Sequence, residues 1–162
     1  MEVIATPGHT PGHLAFLFRE PSVLFAGDYD LTAFGPWYGD LFSDIDGTRA
    51  SIDRLRKISA RTVLTGHEAG VFEDPPKEFW QRYKAVITKR ERKILKLLEE
   101  PRSLEEVVDA WIIYGKPREP KAFFAFGERV HMIKHLDHLQ KRGLIIRENG
   151  LYRRKRGDGS TA

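Results

Sequence analysis

The chain has no cysteine among its 162 residues. Disulfide bonds and thiolate ligands are therefore excluded, and any bound metal ion must be held by His, Asp or Glu. Long hydrophobic runs are also absent, since stretches such as AFFAF at 122–126 are far shorter than the ~20 apolar residues that span a bilayer. No pattern typical of a secretory signal is visible. These absences predict a cytoplasmic protein without a membrane segment.

The charge is distributed unevenly along the chain. Residues 1–80 carry 7 Lys and Arg against 12 Asp and Glu, whereas residues 81–162 carry 20 against 11, a balance of +9. Such asymmetry suggests that the second half faces a polyanion. A charged surface of the kind found in thermophilic proteins is the alternative interpretation, and both stay open.

The first half of the chain contains short apolar segments that predict β-strands. They are EVIA (2–5), HLAFLF (13–18), VLFAG (23–27) and TVLT (62–65). The connection at 19–22 is short enough for a hairpin between the second and third strands. A long loop rich in Gly, Asp and aromatic residues follows at 28–48, and loops of this length are usually functional or disordered. The apolar spacing within 48–58 predicts a helix.

The second half reads as three helices followed by a hairpin. The helices are predicted at 76–100, 105–115 and 121–142. Ser103 and Glu106 form a capping-box pattern before the second helix. Asn149 and Gly150 lie between two short apolar segments, which is a strong hairpin signal. This order of elements is typical of a winged helix-turn-helix.

Three potential metal ligands each follow a short apolar strand. His9 follows EVIA, Asp28 follows VLFAG, and His67 follows TVLTG. Strand ends are rigid, and neighbouring strands deliver their ends to one edge of a sheet. Imidazole and carboxylate groups suit Zn²⁺, and with less preference Mn²⁺ or Fe²⁺. Turn-forming roles are the alternative for His9 and Asp28.

The motifs TPGHTPGH, FAGD and TGHE, in this order, resemble the carboxy-terminal half of the metallo-β-lactamase fold over residues 2 to about 73. The stretch YKAVITKRERKIL, the three helices and HLDHLQKRGLI resemble the winged-helix extension of the β-lactamase-like endoribonuclease group. The resemblance implies an α+β chain: the carboxy-terminal half of an αββα sandwich followed by a winged helix-turn-helix domain. The implied limits are 1–75 for the partial metallo-β-lactamase-like domain, 76–100 for a connecting helix, 101–156 for the winged helix, and 157–162 for a tail.

The resemblance also implies residue roles. His9 matches the histidine that completes the first zinc site, Asp28 the carboxylate that bridges two metals, and His67 the histidine of the second site. His13 matches no ligand and is expected to have a structural or supporting role. The family's His-x-His-x-Asp-His motif is absent from the chain, so zinc is expected to bind weakly or not at all.

Two functions follow from these patterns. The first is a truncated hydrolase in which, when complete, a metal-bound hydroxide attacks an ester, thioester, lactone or phosphodiester. The sequence does not identify a catalytic residue for this hydrolase. The chain alone is expected to be inactive. Because half a sandwich exposes a sheet face, a homodimer or a missing amino-terminal half is the expected partner. The alternative is a non-catalytic winged-helix module that binds nucleic acid or protein, or dimerises.

The basic residues near the end of the chain are candidate phosphate contacts for RNA or DNA without sequence specificity. They are Arg147, Arg153, Arg154, Lys155 and Arg156. Only Tyr152 supplies an aromatic group among them, and a solvated tail or a packing role is the alternative.

Three histidines in the third helix, His131, His135 and His138, recur at helical spacing. A metal-binding stripe is one interpretation. Packing is favoured over it, with the histidines flanking a buried face that contains Met132 and Ile133, because such a pair without a carboxylate is a weak metal signal.

Overall fold

The computed structural model describes residues 1–68, 70–75 and 77–155. Arg156 and the predicted tail at 157–162 lie outside the described residues. The chain divides into two compact units, Met1–Thr88 and a second unit that begins at Lys89. In chain order the elements are β1 (Glu2–Ala5), β2 (Leu14–Phe18), β3 (Val23–Phe25), α1 (Ile45–Leu55), β4 (Thr62–Leu64), β5 (Val71–Glu73), α2 (Lys77–Leu97), α3 (Leu104–Asp109), α4 (Lys121–Lys141), β6 (Ile145–Glu148) and β7 (Leu151–Arg154).

The first unit contains a five-stranded sheet in the order β1-β2-β3-β4-β5. All neighbouring pairs are antiparallel except β3 and β4, which are parallel. Consequently β1, β3 and β4 run in one direction and end at the same edge of the sheet. The predicted β2–β3 hairpin is present. The edge strand β5 was not predicted, because three residues with a single half-buried side chain leave almost no periodic signal.

One face of this sheet forms the core of the first unit. Alternate strand residues point inward; they include Ile4, Ala15, Leu17, Leu24 and Val63. They pack against Ile52 and Leu55 of α1 and against Trp80 and Tyr83 of α2. Full burial of an aliphatic side chain such as Ile52 or Leu55 contributes roughly 1.5–3 kcal/mol. The packed face therefore fixes the sheet on its two helices.

The opposite face of the sheet is also apolar. The strand register aligns one residue from each strand across this face: Val3, Phe16, Phe25, Leu64 and Val71. The rings of Phe16 and Phe25 stack with centroids 6.4 Å apart. Val3 and Val71, at the two ends of the row, are more than half exposed. A row of five apolar side chains on an exposed sheet face is typical of an interaction surface.

Three helix predictions were wrong at their ends. The helix predicted at 76–100 ends at Leu97. The helix predicted at 48–58 begins instead at Ile45, because the Asp44 side chain accepts the backbone N–H of Gly47 and caps the helix there. The helix predicted at 105–115 ends at Asp109. Its continuation is prevented by the positive φ of Trp111, 47°.

Two backbone signals in the second unit were read correctly from the sequence. The capping box of Ser103 and Glu106 is present, with both of its reciprocal hydrogen bonds. Asn149 and Gly150 join β6 to β7 with φ values of 49° and 81°, as a tight hairpin turn requires. The winged-helix identity of this unit stays a prediction.

The buried face of α4 differs from the prediction. His131 and His135 are completely buried and His138 is nearly so, whereas Ile133 is partly exposed. The histidines are thus members of the buried face and do not merely flank it. His131 Nδ1 donates to the Gly127 carbonyl at 2.8 Å, and His138 Nε2 lies 3.3 Å from Glu91 Oε1. Polar partners inside the core allow His131 and His138 to occupy positions that the pattern assigned to aliphatic residues.

The burial of His131 makes the stability of the second unit dependent on pH. Burial, reinforced by the Arg90 guanidinium, lowers the pKa of His131 to about 3. The unfolded chain therefore binds a proton at higher pH than the folded chain does. We expect the contribution of neutral His131 to the free energy of unfolding to be complete above the unfolded pKa of about 6.5. It should be lost towards pH 3, at up to about 1.4 kcal/mol per pH unit.

The test is amide hydrogen exchange in α4 at pH 7.5, 6.0 and 5.0, corrected for intrinsic rates. The opening free energy of the wild type should fall more steeply with decreasing pH than that of His131→Leu. Burial raises the pKa of Glu128, which acts in the opposite direction but equally in both proteins. Equal slopes in the two proteins would contradict the prediction.

Candidate metal centre

The three predicted ligands lie at one edge of the sheet. His9, Asp28 and His67 follow β1, β3 and β4, the strands that run in the same direction. Beyond the last residues of β3 and β4, the Gly66 N–H still donates to the Gly27 carbonyl at 2.8 Å. This extra bond holds the loops that carry Asp28 and His67 side by side.

The carboxylate of Asp28 lies between the two imidazoles. Its Oδ2 is 3.2 Å from His9 Nε2, and its Oδ1 is 3.0 Å from His67 Nε2. His9 is largely buried, whereas the His67 side chain is 65% exposed. The three side chains thus form one cluster at the protein surface. Their role as metal ligands stays a prediction.

The orientation of His9 is fixed by the long loop that follows β3. His9 Nδ1 donates to the Trp37 carbonyl at 3.1 Å, and Ser43 Oγ donates to the His9 carbonyl at 2.6 Å. In the neutral ring, Nε2 then carries a lone pair directed at Asp28 Oδ2. Two acceptors at this distance require a proton or a cation between them. Metal-binding histidines commonly donate the N–H of their other ring nitrogen to a backbone carbonyl in the same way.

The cluster fits a zinc ion in donor type but not in number. Two imidazole nitrogens and a carboxylate are zinc donors, and zinc normally takes four. In the described part of the chain, no group of three or more His, Asp or Glu side chains is arranged to hold a metal ion. The imidazoles contact opposite oxygens of Asp28 and do not surround a common point. The residues therefore supply an incomplete set of ligands.

His13 lies directly behind Asp28. Its Nε2 accepts the Asp28 backbone N–H at 3.0 Å, and its Nδ1 lies 2.8 Å from Thr6 Oγ1. Burial lowers the pKa of His13, and the nearby Asp28 carboxylate opposes that shift. Both ring nitrogens are engaged by protein groups.

Asp30 belongs to the same neighbourhood and was missed in the sequence. Its Oδ1 is buried and has no hydrogen-bond partner among the described residues. Burial raises the pKa of this carboxyl, and the charge of His67 opposes the shift. The available signal was the second acid of AGDYD, two positions after Asp28.

Glycine is required beside the Asp28 carboxylate. Gly27 has a φ of 58°, and a Cβ there would lie 2.6 Å from His13 Nε2. A Cβ on Gly66 would lie 3.3 Å from Asp28 Oδ1. The two glycines allow the strand ends to approach the cluster closely.

The basic residues predicted to meet phosphates are largely engaged within the second unit. The Arg153 guanidinium lies 3.2 Å from Glu148, and that of Arg154 lies 3.7 Å from Glu99. Arg147 lies over the ring of Tyr152. Lys155 is exposed, and Arg156 lies outside the described residues. Their nucleic-acid role stays a prediction.

The helices within the described ranges do not provide a membrane span, since none is both long enough and apolar enough to cross a bilayer.

Comparison with known proteins identifies relatives of the first unit. Residues 1–67 match the family described as the metallo-beta-lactamase superfamily. A hydroxyacylglutathione hydrolase of Rhodospirillum rubrum is 47% identical over 68 residues, which cover 41% of this chain and 25% of the relative. A beta-lactamase-like protein 2 homolog of Caenorhabditis elegans is 32% identical over 100 residues, which cover 62% of this chain and 32% of the relative. The chain thus spans about a quarter to a third of the length of these relatives.

Solved structures match nearly the whole chain. A metallo-beta-lactamase family protein from Thermus thermophilus covers 95% of this chain with a TM-score of 0.75 and 29% identity. A beta-lactamase domain protein from Burkholderia ambifaria covers 95% with a TM-score of 0.69, and at 21% identity it shows the fold alone. The chain covers 49% and 48% of these two structures. It has a mixed α+β, metallo-beta-lactamase-like fold, and its residues 1–67 belong to a metallo-beta-lactamase superfamily domain.

Proposed function

We propose that this chain is part of a metal-dependent hydrolase and that it supplies three of the metal ligands. The observation that carries the proposal is the position of Asp28, whose two oxygens contact His9 and His67 at the end of three co-directed strands. This strand end collects one carboxylate and two imidazoles at the protein surface. It is suited to binding a cation at the protein surface.

In this proposal His9, Asp28 and His67 hold zinc. A bound zinc ion would lower the pKa of a water molecule and polarise the carbonyl or phosphoryl group to be attacked. The chain's own residues orient the ligands: the Trp37 carbonyl fixes the tautomer of His9, and the Asp28 carboxylate holds both imidazoles. The exposure of His67 leaves one side of the cluster open to substrate.

Among the hydrolysable groups that the fold accommodates, we favour a thioester. The relative from Rhodospirillum rubrum is named a hydroxyacylglutathione hydrolase, and this name supports a thioester ahead of a lactone, another ester or a phosphodiester. The fold alone does not decide between them, because one fold hosts many chemistries.

We further propose that this chain must be completed by another polypeptide segment, either an amino-terminal half or a second copy. The donor count supports this, because the cluster offers three donors where zinc takes four. The apolar row from Val3 to Val71 supports it as well, because it is suited to packing against another sheet.

The donor count gives a prediction for metal binding and catalysis. We expect the isolated chain to bind Zn²⁺ weakly by calorimetry and to show no appreciable hydrolysis of thioester, lactone or phosphodiester substrates. Asp28→Asn should weaken the zinc affinity further because it removes the shared charge. The exposed Asp137→Asn in α4 is the matched control and should leave the affinity unchanged. Tight stoichiometric zinc, or turnover that is lost in His67→Ala, would show that three donors suffice.

The exposed sheet face gives a prediction for association. We expect the isolated chain to dimerise at micromolar concentration through this face. Phe18 lies two residues after Phe16 on the same face of β2 and is partly exposed. The double variant Val3→Lys, Phe18→Lys should have the sedimentation coefficient of a monomer, because it puts charge into an apolar interface. The control pair Phe42→Lys, Phe126→Lys, at positions exposed elsewhere, should leave the dimer intact. A wild-type monomer at these concentrations would rule out association through this face.

The alternative function, non-specific binding of RNA or DNA, rests on the balance of +9 in residues 81–162. If the basic residues near the end of the chain bind phosphates, the affinity for RNA or DNA should fall steeply with salt concentration as counterions are released. Replacing Arg153, Arg154 and Arg156 with Gln should flatten the plot of log affinity against log salt. The same change at Arg19, Lys57 and Arg61 of the first unit is the control. An unchanged slope, or no binding at low salt, would exclude phosphate contact by the hairpin.

A further inference from the structure

We propose that His13 is the positioning residue of the centre: it holds the backbone of Asp28 so that the carboxylate lies between His9 and His67. The core of the proposal is the bond from the Asp28 N–H to His13 Nε2 at 3.0 Å. Its consequence for metal binding rests on the proposed function, whereas the hydrogen-bond arrangement itself does not.

The hydrogen bonds around His13 define a single tautomer. Because Nε2 accepts from a backbone N–H, the neutral ring must carry its proton on Nδ1. That N–H donates to Thr6 Oγ1 at 2.8 Å, and the Thr6 hydroxyl in turn donates to the His13 carbonyl at 3.4 Å. Thr6 is completely buried. Each group in this chain of bonds thus has a partner of the correct polarity.

The ring of His13 is also enclosed by packing. On one side is Gly27, where a Cβ would lie only 2.6 Å from Nε2. On another is the ring of Tyr29, edge-on with centroids 5.1 Å apart. The Tyr29 hydroxyl is directed at the carbonyls of Thr6 and Pro7, at 3.2 Å from each. His13 therefore links the end of β1 to the end of β3.

These contacts distinguish His13 from a metal ligand. Its Nε2 is 3.7 Å from Asp28 Oδ2 and is already used by the backbone. His9, by contrast, directs Nε2 at the same carboxylate oxygen from 3.2 Å. The two histidines of TPGHTPGH thus act on one aspartate in different ways. His9 contacts its carboxylate, and His13 anchors its main chain.

The experiment compares His13→Leu, which has no acceptor, with His13→Gln, whose side-chain oxygen can accept the Asp28 N–H. In the wild type, nitrogen-15 NMR should show the Nδ1–H tautomer of His13 and a slowly exchanging Asp28 amide. In His13→Leu we expect that amide to exchange fast and the zinc affinity to fall roughly 10- to 100-fold. His13→Gln should restore both. His9→Gln should weaken zinc binding but leave the Asp28 amide protected, and protected amides in α1 verify folding.

The outcomes separate the two proposals. An Nε2–H tautomer in the wild type would overturn the positioning role without any variant, even if His13→Leu fails to fold. In folded variants, unchanged Asp28 protection in His13→Leu, or failure of His13→Gln to restore it, would also overturn it. Zinc bound equally by the wild type and His13→Leu would reject positioning while the hydrolase proposal stands. No zinc binding by the wild type, with the amide results as expected, would reject zinc binding by this chain alone and leave the hydrogen-bond role of His13 established.

Discussion

The parallel pairing of β3 with β4 is the constraint on which the candidate centre depends. It carries Asp28 and His67 to the same edge of the sheet, where the Gly66 N–H to Gly27 carbonyl bond continues the ladder past the strands. Because β1 runs in the same direction, His9 arrives at that edge as well. A carboxylate placed there meets imidazoles from both sides, and the long loop after β3 supplies the carbonyl that turns His9 towards it.

The position of Asp28 also depends on its neighbours in the backbone and on the hydrogen bond made by its own N–H. Glycine at 27 and 66 leaves room for the His13 ring and the carboxylate, respectively, and a side chain at either position would press on them. His13 accepts the Asp28 N–H in a partly buried position, and the buried Thr6 hydroxyl engages the other ring nitrogen of His13. The centre therefore depends on small and neutral groups behind it as much as on the charged groups in front.

The sequence allowed the convergence of His9, Asp28 and His67 to be predicted because each of them directly follows a short apolar strand, a local pattern. It did not allow the partners of these side chains to be predicted. The Trp37 carbonyl is 28 residues from His9 and carries no side-chain signal, and Asp30 appeared to be a loop acid. The prediction for the α4 histidines was wrong for a related reason. Burial of His131 depends on a hydrogen bond to the Gly127 carbonyl, which hydropathy does not encode.

The donor count and the apolar sheet face both support the proposal that another polypeptide segment completes this chain. A five-stranded sheet that buries Leu24 and Val63 on one side while presenting Phe16 and Phe25 on the other has two apolar faces, and the first of them is packed on α1 and α2. If another polypeptide segment covers the second face, as proposed, it lies against the sheet whose edge carries His9, Asp28 and His67. A covering sheet that ends at this edge would bring its own side chains to Asp28. Completion of the core and completion of the metal shell would then be a single event, so that metal binding and association stabilise each other.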